Sequence, residues 1–503
     1  MRQIWPHPWG DEMHFDQREG KSALTLAGNR HATESARANC HLDRDTASWR
    51  DSAGCVFARD GEVFRQVNQT FADNYDLLNS SGLYEELVGA GLMLPHGEVA
   101  EPVFDAERAH RILRPEQIDF FSYPYEWCFG QLQDAALAML KMQRIALQHG
   151  MTLRDASAFN VQPRLGKWAL IDTLSFERYT PGSPWVAYRQ FCQHFLGPLA
   201  LMAKVDPALN RLSWSHIDGI DLNLAAKLLP WRTRLQLGLG LHLHAHARSL
   251  RIHASAGTSK VRSGNWTLSQ KRLAQMLDHL ESTVAGLRLP KSRSTWSAYY
   301  ESMLNYSEDS FSAKQAMVND LLRELSPKVV WDLGANNGEF SRIAANLGAK
   351  TVAWDFDHNC VQAAYMATRE ANEERILPLV LDLTNPTPGL GWAHEERHSL
   401  VRRAKRANVD CVLMLGLIHH LAIGANVPLG HISRFAARLG KSLIVEFVPK
   451  EDSQVQRLLS AREDVFSDYS QAGFEAAFQQ EFSISGCVQI PGMQRTLYLL
   501  ERK

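Results

Sequence analysis

The chain has no long apolar run. None of its 503 residues sits in a stretch approaching the ~20 apolar positions of a membrane span. It also lacks a charge excess. With 54 Lys+Arg against 55 Asp+Glu the formal net charge is −1, so no global field recruits nucleic acid or an anionic bilayer, and neither is an expected partner. Cysteine is sparse: seven, at 40, 55, 128, 192, 360, 411 and 487, with no C-x-x-C pair. That excludes a cysteine-rich metal centre and a small disulfide scaffold, and favours a reducing, cytoplasmic setting. The first residues are polar and charged without an apolar h-region, so no secretory leader is expected. Internal repeats, low-complexity tracts and a G-x-G-x-x-G dinucleotide loop are missing too.

What is present is a globular composition, 45% hydrophobic and 22% charged, at a length that suggests about three domains. Residues 1–50 are polar and aperiodic and read as a disordered extension. Residues 51–205 read as an α+β domain. Asp60-Gly61 between two short apolar runs predicts a hairpin, helical patterning runs from Tyr75 to Leu92, and an amphipathic helix over 131–149 stops at Gly150. Residues 206–309 read as a helical connector and 310–503 as a final α/β domain.

The most informative stretch opens that last domain. An apolar run from Leu325 to Trp331 predicts a buried parallel strand. Asp332 sits at its carboxyl end, the loop Gly334-Ala335-Asn336-Asn337-Gly338 follows, and a helix opens near Glu339. A glycine loop at such a strand end lets backbone approach a nucleotide-like ligand, and the helix N-terminus offers unpaired N–H groups. Further strands are predicted at 350–354, ending in Asp355; at 376–381, ending in Asp382; at 409–415, running into Gly416-Leu417-Ile418-His419-His420-Leu421; and at 442–447. Each gap is long enough for a crossover helix. An acidic residue about twenty positions beyond the glycine loop suits two ribose hydroxyls. Taken singly, each aspartate serves equally well as a helix cap or turn residue.

This order resembles the class I S-adenosylmethionine (SAM) dependent methyltransferases over roughly 310–503. Asp332 to Gly338 is similar to the family's D-x-G-x-G-x-G motif, with Asn336 at the middle glycine, and asparagine is the non-glycine residue that best tolerates positive φ. The resemblance implies a Rossmann-like, seven-stranded fold closed by a hairpin from Phe482-Ser483-Ile484 and Arg495 to Leu500. It further implies that Asp355 binds the ribose, that Asp382 binds the adenine amino group with Leu383 beside it, and that Asp332 and Gly334 lie along the methionine moiety. Asn336 and Gly338 complete the cofactor loop. His419 and His420 then stand where the acceptor approaches the methyl group, as a general base or as pocket-shaping residues, and Glu446 is a second candidate for orienting the acceptor. A buried structural role is open for all three. The complete chain also resembles bacterial methyltransferases related to host-specific nodulation proteins, which names no substrate.

A second resemblance lies in 151–173. Arg154-Asp155, then Asn160, then Asp172 is similar to the catalytic segment of protein-kinase-like and aminoglycoside-phosphotransferase-like folds. It implies Asp155 as base and Asn160 and Asp172 as magnesium ligands. The other lobe departs from that pattern: there is no glycine-rich phosphate loop, Arg65 stands where a lysine is usual, and Thr173-Leu174 replaces Phe-Gly. A scaffold that holds substrate is therefore favoured over a working kinase.

Two basic stretches, 247–294 (with Lys260, Arg262, Lys291 and Arg293) and Arg402-Arg403-Ala404-Lys405-Arg406, read as a solvated connector and a helix face. His242, His244 and His246 have no cysteine or carboxylate beside them, and no metal is expected. The reading is a SAM-dependent methyltransferase acting on an oxygen or nitrogen of a small molecule or glycan-like metabolite. A bifunctional kinase-like methyltransferase, a non-catalytic SAM- or partner-binding protein and a ribosomal-protein type of methyltransferase stay open. Oligomeric state is not legible.

Overall fold

Asp60 and Gly61 make the tight turn their residue types suit. Both have positive φ, 53° and 83°, and the turn sets Arg59 opposite Glu62. They join β2 (Gly54–Arg59) to β3 (Glu62–Asn68), and β1 (Leu42–Arg44) flanks β2. The computed structural model describes residues 42–45, 48–255, 268–290, 307–460 and 462–503, of which Leu42–Lys503 belong to one unit. β1 thus lies inside the stretch expected to be an extension; residues 1–41, and Lys260, Arg262, Lys291 and Arg293 of the basic connector, fall outside the described residues. With β4 (His96–Val99) and β5 (Ala109–Pro115) these strands form an antiparallel sheet in the order β1-β2-β3-β5-β4. The helical stretch after β3 is broken by Gly82 (φ 80°) into α1 (Ala72–Ser80) and α2 (Leu83–Gly89).

The amphipathic segment near 131–149 is α3 (Phe129–Gln148), buried along most of its length and followed by Gly150 at φ 70°. Short strands β6 (Met151–Leu153), β7 (Val161–Arg164), β8 (Lys167–Leu170) and β9 (Phe176–Arg178) follow it. Further helices include α4 (Gly197–Lys204), α5 (Leu222–Leu228), α6 (His246–Ser255) and α7 (Gln270–Gly286). The histidines of the 242–246 cluster meet other side chains. His242 shares hydrogen bonds with Tyr188 (2.7 Å) and His279 (2.9 Å), and His244 with Thr233 (2.8 Å). Among the described residues no group of acidic, histidine and cysteine side chains could hold a metal ion, and no helix is long and apolar enough to cross a membrane.

The C-terminal part opens with α8 (Glu308–Leu325), then alternates β10 (Val329–Leu333), α9 (Glu339–Asn346), β11 (Lys350–Asp355), α10 (His358–Glu370), β12 (Ile376–Val380), α11 (Leu400–Ala407), β13 (Cys411–Met414), α12 (Leu429–Leu439) and β14 (Ser442–Phe447). β15 (Phe482–Gln489) and β16 (Thr496–Arg502) close it. The seven strands run β12-β11-β10-β13-β14-β16-β15, parallel through β14 and antiparallel where β16 enters. The order reverses beside β10, so the loops after β10 and β13 diverge and leave a crevice at their carboxyl ends.

The N-terminal part packs on this sheet through a buried ion pair. On α11 the expected solvated basic face is turned partly inward: Arg403 is 3% exposed and forks onto Glu126, which is 1% exposed. Thr387 Oγ1 (2.9 Å) and the Tyr123 backbone N–H (3.0 Å) donate to the same carboxylate, and the guanidinium lies 4.6 Å from the Tyr123 ring centre. Arg403→Met should cost about 3–5 kcal/mol by leaving Glu126 buried and uncompensated. The double variant with Glu126→Gln should recover much of that loss. Urea unfolding followed by tryptophan fluorescence measures both, and equal losses in the single and double variants would contradict the account.

Candidate active site at the carboxyl ends of the parallel strands

The loop after β10 is held by backbone bonds to its neighbour: the N–H groups of Gly334 and Ala335 both donate to the Trp354 carbonyl, at 2.8 and 2.9 Å. Gly334, Asn336 and Gly338 all adopt left-handed φ, of 80°, 51° and 86°. At Gly334 an added Cβ would come within 3.3 Å of the Leu417 side chain, a tight contact, and the positive φ strains any side chain there. Asn336 makes the turn with its own side chain in place, and its N–H donates to Asp355 Oδ2 at 2.8 Å. Asp357 N–H binds the other Asp355 oxygen at 2.9 Å. The middle of the loop and the end of β11 are therefore one unit. Asn337 Oδ1 is buried there without a partner.

Asp332 is 2% exposed and accepts from Ser341 Oγ at 2.6 Å. Burial, with the charge of Asp355 adding to it, pushes its carboxyl up to about 6; burial likewise raises Asp355 to about 6. Asp382 lies at the other side of the crevice, held by the backbone and hydroxyl of Thr384 (2.9 and 2.6 Å), with Arg211 at 3.6 Å. Leu383 beside it is half-buried.

His419 and His420 follow β13 in contact with each other, ring centres 4.1 Å apart, where the chain widens into a π-type turn over His420–Gly424. His419 is buried and its Nδ1 has no partner. Burial, the neighbouring His420 and the cations Arg495 and Lys314 hold it neutral, well below the usual imidazole range; His420 is lowered to about 4 by burial and Arg495. Glu446 is fully buried and sits in an ion-pair chain: Lys314 Nζ donates at 2.6 Å, Arg495 lies at 3.4 Å, and Arg495 continues to Asp452 at 2.7 Å. A Cβ on Gly416 would stand 3.7 Å from Glu446 Oε2, so this carboxylate lies directly under the loop that carries the histidines.

Lys314, Arg495 and Arg211 were missed by motif reasoning. A signal for Lys314 exists: it occupies the buried stripe of α8 with Ser310, Val318 and Leu322, a place where lysine is costly unless paired.

In the N-terminal part, Asp155, Asn160 and Asp172 also come together. Asp155 accepts from Ser157 N (2.9 Å) and Gln190 Nε2 (2.8 Å), and burial and then Asp172 raise its carboxyl above the usual range, while the Asn160 side chain bonds it. Asp172 is ion-paired to Arg65 and accepts from Ser175 Oγ at 2.7 Å. These residues line a cavity of about 370 Å³.

The molecule is an α/β protein whose parallel sheet carries a left-handed loop and two carboxylates at its switch point. No family model matches the chain. It is 33% identical over 472 residues to nodulation protein NoeA of Rhizobium meliloti (strain 1021), covering 91% of this chain and 96% of that one. The chain belongs to the NoeA family of nodulation proteins, as the resemblance to nodulation-related proteins implied. Among solved structures, magnesium protoporphyrin IX methyltransferase (ChlM) from Synechocystis PCC 6803 with bound SAH is 18% identical over 42% of this chain and 95% of its own, with a TM-score of 0.30. The bifunctional kinase-methyltransferase WbdD is 17% identical, covering 39% of this chain and 40% of its own, with a TM-score of 0.27. N-methyltransferase NodS from Bradyrhizobium japonicum WM9 is 10% identical over 39% and 98%, with a TM-score of 0.29. At these scores none of the three bears on the roles of individual residues.

Asp332 provides a test of the site's electrostatics. A carboxyl raised from 3.8 to about 6 contributes stability that is present below its unfolded pKa and lost as pH rises through about 6. Asp332→Asn cannot ionise, so it should match the native chain near pH ~4 and exceed it in stability near pH ~7.5. Thermal unfolding across that range is the measurement; a constant difference at all pH values would show that Asp332 is not raised.

Proposed function

We propose that residues 310–503 form a SAM-dependent methyltransferase domain acting on an oxygen or nitrogen nucleophile of a small molecule or glycan-like metabolite. On this reading 51–205 is an acceptor-holding domain and 206–309 a helical connector. The observation that carries the reading is the coupling of loop to strand end, Asn336 N–H to Asp355, at the switch point of a sheet ordered β12-β11-β10-β13-β14-β16-β15. The residues present suit the cofactor. The left-handed loop leaves backbone open to a ligand, and Asp355 retains lone pairs to accept ribose hydroxyls. Asp382, with Leu383 beside it, is placed to accept from an adenine amino group. Gly334 and Gly338 would allow close approach, and Asp332, buried at the end of β10, would supply negative charge toward the methionine moiety.

SAM supplies an already activated methyl group, so the protein's task is chiefly alignment and exclusion of water. His419 and His420 are held neutral by burial and by Arg495, which keeps them as hydrogen-bond acceptors for an O–H or N–H nucleophile but weakens them as bases, so a base role requires that the bound acceptor or cofactor raise the imidazole again. Glu446, neutralised by Lys314 and Arg495, positions the loop above it and has no surplus charge for proton abstraction.

Asp355→Ala should abolish SAM binding measured by titration calorimetry, and unchanged affinity would remove Asp355 from the site. Because its carboxyl titrates at about 6, affinity in the native chain should be level above that pH and fall roughly tenfold per unit below it. Asp355→Asn should bind weakly and without that dependence. His419→Ala and His420→Ala should each keep SAM affinity, and the variant lacking the base should lose about 10²-fold or more in single-turnover rate once an acceptor is in hand.

A further inference from the structure

The cavity beneath the N-terminal sheet has its own chemistry. Its lining includes Val63 and Arg65 from β3, Asn160 and Asp172 from the segment after β6, and Arg397 and His398 from the segment between β12 and β13. Both parts of the chain therefore wall one space of about 370 Å³, within the range of small-molecule pockets.

The resemblance to kinase-like folds would place magnesium and a nucleoside triphosphate here, and the charges do not fit that ligand. Seven carboxylates line the cavity, and six of them face a basic partner: Asp45 with Arg406, Asp51 with Arg154, Glu116 with Arg164, Asp119 with Lys350, Asp172 with Arg65 and Glu396 with Arg50. Asp155 is left, engaged by Ser157, Gln190 and Asn160. Asp172, the expected metal ligand, has Arg65 as its counter-ion, and a divalent cation would have to displace that guanidinium from a largely buried position. The lining arginines Arg50, Arg65, Arg403 and Arg406 are likewise in ion pairs, so a polyanion would find few uncommitted cations. Arg397 lies over the Phe159 ring, 4.3 Å from its centre.

Residues of the wall carry unmet hydrogen-bonding capacity just behind its surface. Arg65 Nε, His96 Nδ1, Arg397 Nε and His398 Nε2 belong to lining residues and are buried without a partner, so a side-chain turn is needed to bring each to a ligand, and each is costly to leave unpaired. Val56, Val63, Leu94, Leu113 and Ile171 supply an apolar side to the same space. Hydroxyl groups both donate and accept, so they suit guanidinium N–H and imidazole nitrogen together, while ring C–H faces suit the valines and leucines.

We propose that this cavity is a second ligand site, taking an uncharged, hydroxyl-rich ring compound without a divalent cation. Sugar units and the ribose of a nucleoside share that chemistry. The proposal does not depend on methyl transfer elsewhere in the chain.

The test uses the full chain with three sets of probes. These are methyl glycosides and disaccharides of glucose, galactose, mannose and N-acetylglucosamine; adenosine; and ATP with magnesium or with EDTA. Thermal shift and calorimetry should find at least one uncharged probe that binds equally well in EDTA, and the saccharide and adenosine arms separate the two sources. Asn160→Ala and His398→Ala should each weaken that probe by about tenfold, the worth of one good hydrogen bond, with SAM affinity on the same samples reporting that the chain is folded. Magnesium-dependent ATP binding tighter than adenosine would overturn the proposal. So would the failure of every uncharged probe at millimolar concentration.

Discussion

The fork between Glu126 and Arg403 ties the molecule together. Each ion alone would be expensive to bury, and the pair is stable because the fork, Thr387 and the Tyr123 backbone satisfy the carboxylate together. One partner comes from the short segment leading into α3 and the other from the helix between β12 and β13. The same helix lines the N-terminal cavity, and the strands it connects border the crevice of the parallel sheet. The position of one space is thus set by the element that walls the other.

Much of the α/β architecture was legible because parallel strands buried on both faces leave an unmistakable trace. The run from Leu325 to Trp331 reads as one strand, but β10 begins at Val329, because Leu325 closes α8 and Ser326 turns the chain at positive φ; Lys350 to Trp354 and Ser442 to Phe447 are strands as their β-rich sequences suggest. The Asp60-Gly61 hairpin and the stop at Gly150 were legible for a different reason, since both depend on positive φ. What escaped was long-range pairing. Arg402 to Arg406 reads as a solvated basic face, and nothing local says that Arg403 meets a glutamate 277 residues away. The edge strand Leu42–Arg44 escaped too, because three residues in a polar stretch carry no period.

The same division runs through the candidate sites. Asp332, Asp355 and Asp382 announce themselves at strand ends, while the cations around the crevice come from distant elements: Lys314 on α8 and Arg495 before β16 pair with Glu446, and Arg211, ahead of the C-terminal sheet, lies beside Asp382. Glu446 shows the consequence. In sequence it is an acidic residue near a strand end like the others; in the fold two cations pair with it beneath the loop that carries the histidines. Asp172 undergoes a similar change of character through Arg65.

Asn336 has a further consequence, seen from the unfolded chain. Glycine at this turn would surrender the widest range of backbone states on folding, whereas an asparagine has fewer to lose. That saving is set against the cost of holding an L side chain at positive φ, and the bond from the Asn336 N–H to Asp355 holds the turn in place. The crevice is shaped in advance, so less of the affinity for whatever enters it is spent on arranging the walls.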